Sequence, residues 1–204
     1  MTVVTSAWER IERWMRRNAP VSAAKLAGPA TTEAIAAAQD RIGLTFPEEL
    51  VESLLRHNGL TEWASLLPEA DPQSLDEIVE WYEIRMDIAP DVDGFDTHSP
   101  NDEPWWHELW VPFGAFASNL QVIDLRPGPE RGRLGLASNS DGGDFSDAYP
   151  SLGGYLALVA EALETGGRVG CWHPYLTVTG EIWWGQAGET DLAGQPLHPV
   201  PGGR

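Results

Sequence analysis

The sequence predicts an α+β fold: N-terminal helices on a mainly antiparallel β-sheet, followed by one later helix and a C-terminal hairpin. Three observations predict it. Apolar residues recur at helical spacing through the first 86 positions. Runs rich in β-forming residues, separated by turn residues, lie between positions 109 and 137. A further helical pattern and a hairpin pattern come last, so helices and strands are segregated along the chain.

The first helix is predicted from a capping-box pattern. Ser6 and Glu9 can each satisfy a backbone amide that the start of a helix leaves without a partner. Trp8, Ile11 and Met15 then fall on one apolar face. We expect a helix that begins at Ser6 and is followed by a loop.

Residues 31–59 predict two short helices joined by a tight elbow. Thr32 suits the N-cap of the first helix, and Gly43 suits its end, because glycine adopts a left-handed conformation without penalty. Pro47 fits the first turn of the second helix, where no amide donor is needed. The Asn-Gly pair at 58–59 is expected to end that helix.

The remaining elements follow from similar local signals. Ser74 and Glu77 form a second capping box, which predicts another helix. Residues 89–104 are acidic, contain proline and lack periodicity, which is typical of an exposed loop. The later predicted elements are strands at 109–113, 120–125 and 133–137, a helix that begins at Ser151, and a hairpin around Thr179-Gly180.

The chain length suits one domain. We expect residues 1–184 to form it. Residues 185–204 are dominated by glycine, proline and polar residues, and we expect them to be a flexible tail.

The charge of the chain indicates which partners it can bind. The sequence has 13 basic and 31 acidic side chains, a net charge of −18, and residues 42–110 alone carry −15. Such a surface repels phosphate backbones and anionic lipids, so nucleic acid and membrane surfaces are not expected partners. It attracts basic proteins and accelerates encounter with them.

Targeting segments and cysteines give little further signal. No signal-peptide pattern or apolar run of membrane-spanning length is visible, so a cytoplasmic protein is expected. The single cysteine, Cys171, excludes an internal disulfide and a multi-cysteine zinc site.

Several motifs invite a catalytic or metal-binding interpretation. Residues 91–96 are rich in aspartate, but their order does not match a calcium loop. Cys171 lies two residues from His173, and side chains so spaced on a strand are poorly placed to exchange a proton. An acidic pair such as Asp141 and Asp144 is a third possibility, although no ordered element is predicted to position it. We therefore expect no enzyme activity, no metal and no cofactor.

The motifs of residues 6–165 resemble the SUKH superfamily, which includes the yeast cell-wall-assembly regulator and many bacterial immunity proteins. The matching segments are Thr32 to Ile35, Ile42 to Leu50, Leu54 to Gly59, Trp110 to Gly114, Val122 to Leu125 and the helix near 151–163. The chain departs from the pattern at Ser118-Asn119 and in the acidic insertion after Ala89. The resemblance implies a protein-binding module, and several members neutralise nuclease or other toxins.

These observations predict a surface that binds a basic toxin domain. Adjacent tryptophans on a strand cannot both face one core. One member of Trp105-Trp106, and one of Trp183-Trp184, is therefore either an exposed anchor for a partner or covered by another layer of the protein. The expected partner-binding residues are Glu83, Asp87, Asp91, Asp93, Asp96, Asp102, Glu103, Trp105 and Trp106. The alternative is a regulatory scaffold that binds an endogenous partner in a signalling pathway.

Overall fold

The computed structural model of the protein describes residues 2–92 and 103–200. Three of the predicted partner-binding residues, Asp93, Asp96 and Asp102, lie outside these ranges. Within the ranges, no helix combines the length and the apolar character needed to cross a membrane.

Helix α1, Val3–Asn18, begins earlier than predicted. Thr2, not Ser6, is its N-cap and accepts a hydrogen bond from the Thr5 amide. The Thr5 amide also donates to Glu52, 3.0 Å away on a later helix, so a tertiary contact supports the additional turn. The predicted apolar face is confirmed, because Trp8, Ile11 and Met15 are all buried.

The predicted helix pair is confirmed with small shifts in its boundaries. The loop before it contains a short helix, α2 (Pro20–Ala24). Helix α3 (Thr32–Ile42) is capped by Thr31, and Gly43 ends it in the left-handed conformation with φ of +72°. Helix α4 (Glu48–Leu54) follows Pro47 and ends before the Asn-Gly pair.

The second capping box is confirmed at the start of helix α5 (Leu75–Ile88). The Ser74 amide donates to Glu77, and the Ser74 hydroxyl accepts from the Glu77 amide. A short strand, β1 (Asp71–Pro72), precedes this helix, and a 3-10 turn (Ala89–Asp91) follows it.

The main sheet contains the three strands predicted in the middle of the chain. Its members after β1 are β2 (Trp110–Phe116), β3 (Asn119–Asp124), β4 (Leu134–Ala137) and β5 (Gly143–Asp144). The strand order is β1-β2-β3-β4-β5, and all neighbours are antiparallel. A bulge between Pro112 and Gly114 shifts the register of β2 against β3.

Helix α6 (Leu152–Thr165) is capped by Ser151, as predicted, and ends at Gly166 in the left-handed conformation. It packs against α1. Glu49 from α4 accepts a hydrogen bond from the Gly153 amide, which ties the first turn of α6 to the helix pair.

A second sheet at the C-terminus is larger than the predicted hairpin. Its strands are β6 (His173–Thr177), β7 (Ile182–Gly185), β8 (Asp191–Leu192) and β9 (Gln195–Pro199), in the order β7-β6-β9-β8. The hairpin β6-β7 is confirmed. Residues 191–200 belong to the folded structure and not to a frayed tail, because β9 pairs with the free edge of β6 and buries Leu197 and Val200.

One continuous set of buried apolar side chains joins the helices to both sheets. It extends from Trp8 of α1 through Trp110 of β2 to Trp184 of β7. The C-terminal sheet is therefore held against the rest of the domain, and the two meet at the candidate site.

Candidate functional site

An aromatic cleft with a volume of about 840 Å³ opens where the main sheet meets the C-terminal sheet. The segment 63–71 forms one side, strands β3 to β5 another, and residues 170–172 with β7 the third. We call this feature the aromatic cleft; its aromatic lining residues are Trp63, Phe116, Tyr149, Trp172, Trp183 and Trp184. A cleft lined by aromatic groups and a few polar ones is the usual form of a binding site.

The tryptophans of β7 are placed by the alternation of a strand. Trp184 faces the core, is 3% exposed, and donates a hydrogen bond to the Leu66 carbonyl at 3.1 Å. Trp183 therefore points the other way, where its ring meets that of Trp63 edge-on at a centroid distance of 6.2 Å. Trp63 is 58% exposed, so a large aromatic surface remains in contact with solvent.

Glu69 is held in the cleft by two neutral donors. The Trp172 indole donates to its Oε1 at 3.1 Å, and the Gln121 amide donates to its Oε2 at 2.7 Å. The backbone at Glu69 has φ of +71°, a left-handed conformation that is uncommon for a residue other than glycine. Such conformations persist only where surrounding contacts impose them, and they cluster at functional sites.

Asp71 shapes the segment that carries Trp63 and Glu69. Its carboxylate accepts hydrogen bonds from the backbone amides of residues 64, 65 and 66. Burial raises the pKa of Asp71 above its ordinary value, although these three donors act in the opposite direction. Asp71 is therefore a structural group that closes a tight loop, not a free carboxylate of the cleft.

The edge of the cleft is acidic. Asp144 and the exposed Asp147 line it together with Glu69, whereas none of the described lining residues is lysine or arginine. Burial raises the pKa of Tyr149 to about 12, and the negative charge of Glu69 adds to the shift. Tyr149 is thus a neutral hydroxyl at ordinary pH.

Cys171 also lines the cleft and is exposed. The Gln186 amide lies 3.8 Å from its sulfur. Within the described residues, no group of three or more His, Cys, Asp or Glu side chains is placed to hold a metal ion.

The two tryptophans predicted as anchors are buried. Trp105 and Trp106 are each 6% exposed, so the expectation that one of them faces solvent is wrong. The strand rule does not apply, because these residues lie outside any strand and both can turn inward. Trp105 stacks on Arg85, and Trp106 meets Tyr82 and Trp110 edge-on.

The described acids of the predicted surface fall into two groups. Glu103 lies within the chain's own ion-pair cluster, 2.6 Å from Arg126, and its side chain is 12% exposed. Glu83 is exposed but pairs with Arg41 at 2.6 Å, while Asp87 and Asp91 are exposed. The structure does not bring these acids together with the aromatic cleft.

Most of the cleft was not predicted from the sequence. Trp183-Trp184 was a candidate pair, but Trp63, Glu69 and Trp172 were not among the predicted site residues. Trp63 lies in a stretch without periodicity, and no local pattern indicates the left-handed Glu69 or its distant hydrogen-bond partners. A solitary tryptophan in an unpatterned segment was the only available signal.

Comparison with known proteins identifies the framework around the cleft. The family model described as the SMI1 / KNR4 family (SUKH-1) matches residues 29–158, well over half of the chain. A search of curated proteins found no match. The match includes α3 to α5 and the whole main sheet, whereas Trp172 and Trp183 lie beyond it. The chain belongs to the SMI1 / KNR4 family (SUKH-1).

Proposed function

We propose that this protein is a non-enzymatic protein-binding module that neutralises a basic bacterial toxin domain by occluding it. Family membership is compatible with an immunity role and with a regulatory one. The net charge of −18 favours a basic partner over nucleic acid or lipid. An immunity role places the complex in the cytoplasm, where a toxin acts on its target.

The observation that carries the proposal is the aromatic cleft. Interface hot spots are enriched in tryptophan and combine aromatic anchors with a polar surround. Trp63, Trp172 and Trp183 supply such anchors, and Glu69 and Asp147 supply negative charge beside them. These residues take the place of Trp105 and Trp106, whose burial leaves them little surface for a partner.

The exposed acids of α5 have a second role in the proposal. Glu83, Asp87 and Asp91 are solvent-exposed and remain candidates for a surface that steers a basic partner. Steering by exposed charges accelerates association and weakens as salt is added. Contacts in the cleft would instead slow dissociation.

The test is co-expression with the protein encoded by the adjacent gene, followed by purification of the complex and a toxicity assay. We expect a stable complex, protection of the cells, and an association rate that falls as salt rises. The variant Asp87→Asn/Asp91→Asn should reduce the association rate, and Glu161→Gln, at an exposed acid of α6 outside the cleft lining, serves as its control.

Other outcomes would contradict the proposal. If the neighbouring product is not a toxin or does not bind, neutralisation of a toxin is excluded. If the protein instead captures one endogenous partner at native abundance and alters its signalling, the regulatory alternative is correct. Association that does not change with salt would remove the steering role of the acids.

A further inference from the structure

We propose that the aromatic cleft receives one arginine side chain from a basic segment of the partner, between the tryptophans and beside Glu69. This inference rests on the proposed function and names the group that the site recognises. Four features of the molecule support it: the aromatic surfaces, the carboxylate, an unpaired buried acceptor, and the contacts of the chain's own arginines.

The aromatic surfaces suit a flat cation. Trp63 and Trp183 meet edge-on at 64°, an arrangement that leaves the face of at least one ring uncovered by the other. Tryptophan is the strongest aromatic partner for a cation, which binds over the ring within about 6 Å of its centre. A guanidinium group also stacks on aromatic faces through its own plane.

Glu69 supplies a carboxylate whose described partners are all neutral. Its hydrogen bonds come from an indole and an amide, so both hold the carboxylate in place without cancelling its charge. The left-handed backbone at Glu69 indicates that surrounding contacts impose this placement. A preorganised carboxylate is the acceptor that a guanidinium fork matches.

Gln121 adds an acceptor next to that carboxylate. The residue is 4% exposed and lines the cleft, and its Oε1 has no hydrogen-bond partner among the described residues. Its amide nitrogen is identified by donation to Glu69, so the unpaired atom is the oxygen. Buried acceptors without a donor are uncommon. This oxygen is enclosed, so it adds an uncompensated negative dipole behind Glu69 and not a direct contact for the ligand.

Two of the chain's own arginines combine an aromatic face with oxygen acceptors. Arg85 stacks on Trp105 at 4.4 Å and donates to two backbone carbonyls. Arg133 stacks on Phe145 at 4.3 Å and pairs with Asp124. The described lining of the aromatic cleft presents aromatic rings and a carboxylate without such an arginine, which makes it complementary to one from outside.

The binding probe is an acetylated and amidated peptide, Ala-Ala-Arg-Ala-Ala, compared with the same peptide carrying citrulline in place of arginine. Citrulline keeps the planar shape but removes the charge. Indole NMR signals of Trp63, Trp172 and Trp183, assigned by single Trp→Phe variants, report binding. We expect the arginine peptide to shift these three signals and the citrulline peptide to bind about tenfold more weakly, as for one lost charge-assisted contact.

Two variants separate the cleft from the rest of the surface. Glu69→Gln should weaken the arginine peptide about tenfold, and Trp63→Ala should weaken it severalfold. Trp63 is exposed, so this variant should keep the fold, which the thermal unfolding midpoint checks. Glu161→Gln, at an exposed acid of α6 outside the cleft, is the matched control and should bind as the unaltered protein does.

Cys171 provides an independent readout because it is the only cysteine and is exposed in the cleft. The toxin complex should slow its alkylation by at least tenfold. The inference is overturned if the toxin complex forms but the alkylation rate of Cys171 does not change and Trp63→Ala binds the toxin as tightly as the unaltered protein does. The proposed function would then remain intact.

Two further outcomes also count against arginine recognition. Equal binding of the arginine and citrulline peptides excludes it. Concentration-dependent shifts of the three indole signals in the protein alone would identify a second copy as the occupant. If the arginine peptide binds in the cleft but no toxin complex forms, the cleft does recognise arginine. The proposal that a toxin supplies that arginine would then be overturned.

Discussion

The guanidinium carbon of Arg85 lies 4.4 Å from the centre of the Trp105 ring, although Arg85 is only 1% exposed. Burial lowers the pKa of Arg85 to about 10. The charge is accommodated by the aromatic face and by the carbonyls of Ser118 and Ser138, which accept hydrogen bonds of 2.6 and 3.0 Å. Helix α5 is thereby connected to the turn after β2 and to the end of β4.

Replacing Arg85 with methionine should destabilise the protein strongly. The change leaves the Ser118 and Ser138 carbonyls without donors, and each buried unsatisfied group costs about 1–3 kcal/mol. We expect urea denaturation to show a free energy of unfolding about 3 kcal/mol lower. Arg41→Met, at an exposed ion pair, should leave the free energy of unfolding nearly unchanged. Equal effects at the two positions would show that the Arg85 contacts contribute little.

The burial of Trp105 illustrates where sequence reasoning fails. Strand alternation was applied to the two adjacent tryptophans, and this made one of them a candidate for an exposed anchor. The chain at this point is irregular, and Arg85 from α5 provides a polar surface against which Trp105 packs. Such packing depends on residues twenty positions away and has no local signature.

The helix pair could be predicted from local sequence signals, whereas the aromatic cleft could not. The end of α3 at Gly43 was predicted, and its start was predicted to within one residue, since Thr32 was expected as the N-cap and Thr31 is observed. Both signals act on backbone groups within a few positions. Glu69 is placed instead by Gln121 and Trp172, the latter 103 positions away. β9 was missed for a related reason: its stability comes from pairing with β6, not from its own composition.

Gly59 and Gly43 allow a test of what holds the helix pair against α5. Both have φ of +72°, but a Cβ on Gly59 would lie 2.4 Å from the Ser74 amide nitrogen, whereas nothing lies within 4 Å at Gly43. Gly43→Ala should therefore cost only the conformational penalty of about 1–2 kcal/mol. Gly59→Ala should cost clearly more, because the N-cap of α5 must move. Thermal unfolding of both variants measures the difference, and equal midpoints would show that the contact relaxes freely.

Asp124 should make stability depend on pH in the acidic range. Burial by itself opposes ionisation, but hydrogen bonds from Arg126 and Arg133 outweigh it and lower the pKa of Asp124 below its ordinary 3.8. A lowered folded-state pKa contributes stability above the unfolded-state value, and this contribution is lost as the pH falls through the folded-state value.

The corresponding variant is Asp124→Asn. Near neutral pH it should lower the free energy of unfolding by about 3 kcal/mol, because it breaks a largely buried ion-pair cluster. The difference from the unaltered protein should narrow in urea denaturation below about pH 4. Glu164→Gln, at a more exposed pair with Arg10, should change stability by less than about 1 kcal/mol. A difference that stays constant with pH would contradict the role of Asp124 ionisation.

The left-handed backbone at Glu69 can be measured by comparing two substitutions. Glu69→Ala and Glu69→Gly both remove the hydrogen bonds to Gln121 and Trp172, so the difference between them isolates the backbone conformation. Because φ is +71°, glycine should be more stable than alanine by about 1 kcal/mol. At Glu80, an exposed position inside α5, the order should reverse, since glycine is about 1 kcal/mol worse than alanine in a helix. Alanine more stable than glycine at both positions would show that Glu69 does not hold a left-handed conformation, and the preorganised carboxylate proposed for the cleft would lose its basis.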